Sequence, residues 1–366
     1  MNICLLLLSG CSKLNNQKLY QKTAFDCGFD TFCSLNAYVS DEDTFNRYYN
    51  QMVNEFLMYH KYFDIYHEYD GINNLKTIND NAGIKPVEVD QVIIDLLLDA
   101  KAIGELSKNS FDITNGQLLK IWHTYRENGQ ADNQNGKIGK IPSEETLQSA
   151  SMSRGFEHII IDETNQTVYI DDSNIQIDVG AIGKGYATEL VANKLQSEGL
   201  TNAAINAGGN QKIIGPKVND EGWNVGIQNP TIQISQDESI IALISDVKEN
   251  SVVTSGDYQN YYLGPNEEIL GHIIDFQTLK PANHYHSVTI VTKDSGLADC
   301  LSTTLFTLSY EDGKDLIDKL NQTYKLEIGY VYISDQPLDQ TSIQSKTLHK
   351  YYLTYSDNLK DNIKIN

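Results

Sequence analysis

At 366 residues the chain can bury a substantial core, and its length fits one large domain or two ordinary ones. Its 49 acidic against 28 basic side chains leave a formal net charge of −21, and no Lys/Arg-rich run interrupts the acidic background. A nucleic-acid partner is excluded on that ground, because the phosphate backbone would be repelled, whereas a solvated surface or divalent-cation binding is compatible with it.

From the N-terminus, "LLLLSGC" closes on Cys11 and resembles the lipobox of bacterial lipoprotein signal peptides. Residues 1–11 are then a signal cleaved before Cys11, whose lipidated sulfur would anchor the chain on the extracytoplasmic face of the cell membrane. "MNIC" lacks the positive charge of an ordinary n-region, and an apolar strand with an incidental cysteine is the alternative. No later apolar run is long enough to span a bilayer. Residues 12–23 read as a polar tether, 24–355 as the folded body and 356–366 as a polar tail. The five cysteines form no CxxC pair, which argues against a zinc site. A Cys27–Cys33 bridge is compatible with an oxidising compartment, although the alternation in "FDTFCSLNAYV" favours two side chains packed separately.

That stretch is the first expected strand of the body. Phe45, Tyr48, Met52, Phe56 and Tyr59 recur at helical spacing behind an Asp41 cap, and Asp90 caps a second helix over "QVIIDLLLDAKAIGELS". The polar stretch from Glu127 to Pro142 reads as a loop, after which Ser143 caps a short helix. "HIIID" and "TVYID" form a hairpin, and "IQID" is a strand running into "GAIGKGYATELVANKL", which turns into a helix ending at Gly199. Strands follow at "NAAIN", "WNVGIQ", "IIALISDV", "SVVTS", "GHIIDF" and "SVTIVT", with helices at "LADCLSTTLFTL" and "YEDGKDLIDKL". The strands cluster instead of alternating with helices, so the class is α+β.

The glycines after Asp178 invite a phosphate-loop reading, which their spacing defeats. Asp178 stands where a P-loop needs its first glycine and Gly185 where it needs Ser or Thr; a dinucleotide fingerprint meets Thr188 at its third glycine. Asp178 would then either cap the following helix or orient a ligand. Ser255 lacks a GxSxG elbow, so a serine hydrolase is not indicated.

Taken in order, "DVGAIGKGYA", "NAGGN", "TSGDY", "GHIIDF" and "GLADCLSTT" resemble the FAD:protein FMN transferase family, the ApbE type, over about Phe29 to Thr304. The resemblance implies a single T-fold-like catalytic body of mixed and antiparallel sheets with flanking helices. It also implies an enzyme that cleaves FAD, joins FMN through a phosphoester to Thr or Ser of a target electron-transfer flavoprotein domain, and releases AMP. FAD pyrophosphatase activity or non-catalytic flavin binding by a surface lipoprotein are the alternatives.

Phosphoryl transfer needs positioning and charge neutralisation, and a hard cation on oxygen ligands meets the second need. By resemblance the ligands of Mg²⁺, with Mn²⁺ or Ca²⁺ as alternatives, are the Ala181 carbonyl, Asp299 and Thr303, four apart on one helical face, and Ser302 beside them. The FAD contacts carried over are Phe29, Tyr69, Ser110, Phe111, Asp112, Asp178, Lys184 and Ile273; here Asn109 and Ser110 replace the family's usual Gly-Ala. His272 is the candidate general acid/base, because imidazole exchanges a proton near neutrality, and Asp257 is its competitor.

Overall fold

The structure is a computed structural model and describes residues 17–107, 110–231, 238–347 and 349–366. Cys11, the expected lipidation site, and Asn109 lie outside the described residues. With strands and helices numbered along the chain, the centre is a nine-stranded sheet. Its order is β1 (Lys18–Ala24), β2 (Cys33–Val39), β6 (Ala203–Ala207), β7 (Asn210–Ile214), β10 (Ser251–Gly256), β15 (Ser287–Thr292), β16 (Gly329–Ser334), β18 (Tyr352–Tyr355), β17 (Ile343–Gln344). Every neighbouring pair in it is antiparallel.

Smaller sheets are built from β8 (Trp223–Gln228), β9 (Ile240–Val247) and β19 (Ile363–Ile365), and from β3 (Val87–Glu88), β4 (Ile159–Asp162) and β5 (Thr167–Ile170). Two hairpins pair β11 (Tyr261–Leu263) with β12 (Ile269–Gly271), and β13 (Ile274–Asp275) with β14 (Lys280–Pro281). The helices are α1 (Glu42–Phe63), α2 (Leu75–Asp80), α3 (Gln91–Leu106), α4 (Gly116–Gln134), α5 (Glu144–Ala150), α6 (Gly183–Ser197), α7 (Ser295–Thr307) and α8 (Tyr310–Tyr324).

All residues of β15 and β16 are buried, which explains why those strands read as continuous apolar runs. Their alternation separates two cores. Val253, Val288, Ile290, Tyr330 and Tyr332 pack with Leu301, Leu305 and Phe306 of α7 and Ile317 of α8. Val252, Val291, Val331 and Ile333 pack instead with Val225, Ile227 and Ile241 of the β8–β9 sheet. The large sheet is thus covered by helices on one face and by a second sheet on the other. A third core joins β2 and β6 to α1, α3 and α6. The α+β expectation holds, and Asp41, Asp90 and Ser143 cap their helices as expected, each accepting a backbone N–H.

Several sequence expectations are corrected. Residues 18–23, assigned to a tether, lie in β1, which pairs in register with β2. Most β1 side chains are exposed at a sheet edge, so no apolar alternation marks the strand, and Lys18 and Lys22 are the charges expected on an edge. The tail likewise contains β19, whose Ile363 and Ile365 pair with β9. The expected loop from Glu127 is helical to Gln134, because α4 is longer than its polar sequence suggests. Its Gly129 is no breaker: a Cβ there would lie 2.3 Å from the Tyr262 ring, so the glycine admits the β11 hairpin. "IQID" is extended but makes only a single bridge, Gln176 to Asn115, and "GHIIDF" is broken after Gly271, leaving His272 between two hairpins. Cys27 and Cys33 are both free and fully buried.

Lys212 of β7 and Glu189 of α6 form a 2.9 Å ion pair with side chains 8% and 16% exposed, and Glu189 also accepts the Ser295 N–H at the start of α7. Removing one partner of such a pair strands the other charge. Lys212→Ala is expected to destabilise the fold by about 3–5 kcal/mol, read from urea unfolding; a loss below about 1 kcal/mol would show that the pair does not hold α6 to the sheet.

Candidate functional site

The glycine-rich turn meets the second distant motif directly. Gly185 donates its N–H to Asp299 Oδ2 at 2.7 Å, fully buried; it stands in the first turn of α6, where the helix ladder offers that N–H no partner, and Asp299 supplies one. The contact requires glycine, since a Cβ at Gly185 would lie 2.4 Å from both Asp299 Cβ and the Ser295 carbonyl. Two oxygens are left over beside the crossing of α6 and α7: the Ala181 carbonyl and Asp299 Oδ1, neither of which is met by a donor among the described residues.

Beneath them runs a chain of hydroxyls. Ser255 at the end of β10 lies 2.8 Å from Ser302 Oγ and 3.1 Å from Thr303 Oγ1, and Ser302 donates to the Asp299 carbonyl at 2.9 Å. With its proton on that carbonyl, Ser302 accepts from Ser255, which then accepts from Thr303. Fully buried Ser302 is satisfied twice by protein, whereas Thr303 keeps its lone pairs and shares the helical face of Asp299. Among the described residues no group of three His, Cys, Asp or Glu side chains could hold a metal. The oxygens available are one carboxylate, one backbone carbonyl and hydroxyls, a set that suits a hard cation retaining several positions for other ligands.

Lys184, on the first turn of α6, makes no ion pair among the described residues, and neither does Arg126 of α4. His272 is held down to about 4 by burial and by the charges of Arg126 and Lys184, so its imidazole is neutral at physiological pH. Its Nδ1 is buried with no partner. Asp178 is raised by burial, with the Gly180 amide, His123 and Arg126 drawing it back. It does not cap α6; Oδ1 accepts the Gly180 N–H at 2.8 Å, a local turn, while Ile182 occupies the cap position without a side-chain bond. Its segment is clamped by Asn79, which bonds both the N–H and the carbonyl of Ile177 at 2.7 and 2.9 Å, and by the Ile113 carbonyl on the Asp178 N–H. Tyr66, pushed up to about 12 by burial and then by Asp178, packs on His123 with ring centroids 5.3 Å apart.

Asp257 is engaged elsewhere. Its Oδ2 lies 3.3 Å from His286 Nδ1, whose Nε2 is 3.1 Å from Asp335. Burial opposes the charge of this imidazole, but the bonds to the two carboxylates prevail and raise it.

The remaining expected contacts fall into separate groups. Phe29 holds a left-handed φ of 55°, donates its N–H to His60 Nδ1 at 3.1 Å and packs on the His60 ring. Tyr69 donates to Asp64 at 2.7 Å and faces the same His60. Phe111 is buried in the core, and Asp112 caps the turn into α4 by accepting from Thr114 and Asn115. Ser110, Phe111 and Asp112 line a cavity of about 710 Å³ with Asp275, Phe276 and Thr307, while Ile273 is buried against the α7 core. Sequence reasoning left Arg126 unassigned, just ahead of the stretch expected as loop; Ser255 was weighed only as a hydrolase nucleophile and His286 was not marked, because their partners are far apart in the chain.

A profile of the ApbE family matches residues 29–326. The chain is similar to the FAD:protein FMN transferase of Escherichia coli (strain K12), 28% identical over 248 residues, which are 66% of this chain and 66% of that protein, just under two thirds of its length. It is also similar to the FAD:protein FMN transferase of Buchnera aphidicola, 28% identical over 86% of this chain and 89% of that one. In structure it resembles the ApbE protein of Thermotoga maritima, with TM-score 0.70, 27% identity, and coverage of 86% of this chain and 94% of the other.

Because the folded His272 titrates well below the ordinary imidazole value of 6.5, the unfolded chain binds its proton first. The stability supplied by the neutral ring is complete above pH 6.5 and is lost as pH falls from there toward 4. Urea titrations of wild type and His272→Asn from pH 7.5 to 4 are expected to diverge across that window; parallel curves would place the ring in solvent.

Proposed function

The chain belongs to the ApbE family, and we propose that it is a Mg²⁺-dependent FAD:protein FMN transferase, joining FMN to a Thr or Ser hydroxyl of a target flavoprotein domain and releasing AMP. The observation that carries this reading is the Gly185–Asp299 contact, which sets the open Ala181 carbonyl and Asp299 Oδ1 beside the unpaired Lys184. Asp299, Thr303 and the Ala181 carbonyl would hold the cation, with Ser302 supporting Thr303 through Ser255. Mn²⁺ or Ca²⁺ would meet the same oxygens. A bound cation draws charge from the diphosphate and eases attack on phosphorus.

In the transfer, the acceptor hydroxyl oxygen forms a bond to the phosphorus of the FMN half, and the bridging P–O bond breaks with its electrons leaving on AMP. The hydroxyl proton goes to a base. His272 suits that role, since it is neutral and its Nδ1 is unpartnered, whereas the Asp257 carboxylate is engaged by His286. Lys184 neutralises charge on the diphosphate. Phe29 and Tyr69, and the Ser110–Asp112 edge of the cavity with Asp178 and Ile273, supply the surfaces for the rest of FAD. Once the signal ahead of it is cleaved, a lipidated Cys11 would hold the enzyme at the outer face of the cell membrane.

Incubated with FAD, Mg²⁺ and a target domain, the chain is expected to leave flavin fluorescence on the target after denaturing electrophoresis and to release AMP. AMP without labelled target would convert the reading to FAD hydrolysis, and neither product would leave a flavin-binding protein. Asp299→Ala is expected to lower both signals at least a hundredfold while the thermal melt stays cooperative; full activity in that variant would sink the metal assignment.

A further inference from the structure

Helix α4 carries a cation that the transferase reading does not use. Two anchors bracket it: Trp122 Nε1 donates to the Leu279 carbonyl at 2.9 Å, and Gln130 Nε2 to the Tyr261 carbonyl at 3.0 Å. They hold the helix against the hairpins on either side of His272. Between them, Arg126 is half-buried and makes one hydrogen bond, from a guanidinium nitrogen to His123 Nδ1 at 2.8 Å. A guanidinium cannot accept, so His123 is the neutral tautomer protonated at Nε2, and that proton faces Glu127 Oε1 at 3.3 Å. Arg126 is therefore oriented without being neutralised. Burial works against its charge, and Tyr66, Glu127 and Asp178 favour it without forming an ion pair; Asp178 spends one oxygen on the Gly180 amide.

Among the described residues Arg126 combines partial burial with no ion pair and a single hydrogen bond, so most of its five donors are left for an anion. Lys184 on α6 and Arg126 on α4 both bring positive charge to bear on His272, whose Nδ1 is buried without a partner, while the α4 anchors flank the same residue. We propose that Arg126 is a binding residue for the substrate's diphosphate, closing on it from α4 while Lys184 approaches from α6. The planar guanidinium offers paired donors to adjacent phosphate oxygens, and with one edge fixed on His123 it loses little further freedom on binding. The role rests on the reading of the site as one for a flavin dinucleotide. It adds a specificity element: the flavin and the nucleoside are bound elsewhere, and the doubly charged linkage is recognised by Arg126.

The test is calorimetric titration of wild type, Arg126→Gln and Arg126→Lys with ADP and, separately, with riboflavin, in Mg²⁺ buffer. Arg126→Gln is expected to weaken ADP at least tenfold, Arg126→Lys to recover part of that loss, and riboflavin affinity to stay within twofold in all three. Unchanged ADP affinity in Arg126→Gln overturns the assignment, as does an equal loss for ADP and riboflavin, which would mark a merely structural role. Wild-type FMN transfer together with unchanged ADP binding in Arg126→Gln would overturn Arg126 alone. Sensitivity of ADP binding to Arg126 in a wild type that transfers no FMN would uphold Arg126 and overturn the transferase reading.

Discussion

The close crossing of α6 on α7 is the constraint on which the site depends. A helix can approach another this nearly only where one of them lacks a side chain, and Gly185 supplies that gap against Asp299 and the Ser295 carbonyl. One hydrogen bond then has two effects: it fixes the Asp299 rotamer and it satisfies a first-turn N–H of α6, while the Ala181 carbonyl lies ahead of the cap and outside the ladder. About one turn further along α6, Glu189 repeats the connection by bonding Lys212 and the Ser295 N–H, so the crossing is held at two points and cannot pivot. The hydroxyls of Ser302 and Thr303 tie the same helix to β10 through Ser255.

The large antiparallel sheet makes this crossing rigid. Its middle strands are buried on both faces, with α7 and α8 against one and the β8–β9 sheet against the other, so α7 rests on a surface that has little room to yield. On the open side of the crossing lie the elements that bring charge. Lys184 comes from α6, Arg126 from α4 and His272 from the break between two hairpins, while Asp178 arrives on an extended segment clamped by Asn79 and Ile113. The His272 imidazole is neutral because burial and the charges of Arg126 and Lys184 oppose its protonation.

Much of this was legible in the chain because it is local. Residue periodicity located α1, α3, α7 and α8 and the buried strands, and the caps at Asp41, Asp90 and Ser143 followed from side chains three or fewer positions from the amides they meet. What escaped was polar or marginal. Strand β1 is an exposed edge, β19 is three residues long, and α4 is a polar helix whose Gly129 serves a neighbour's ring, not a turn. The large apolar residues of α4 are confined to its first half and those of β19 to two positions, so neither length is marked by a hydrophobic period.

The sequence by itself determined the order of motifs, and with it the family, the α+β class and most of the side chains that could meet a cation or a diphosphate. Only the tertiary structure decided how they are used. It gave one oxygen of Asp299 to Gly185 and left the other open, bound Asp257 to His286, turned Asp178 from a helix cap into a local turn, and brought the charges of Arg126 and Lys184 to bear on His272. The reason is physical: residue type fixes which bonds a group can make, but a carboxylate or an amide has more potential partners than bonds, and long-range packing chooses among them.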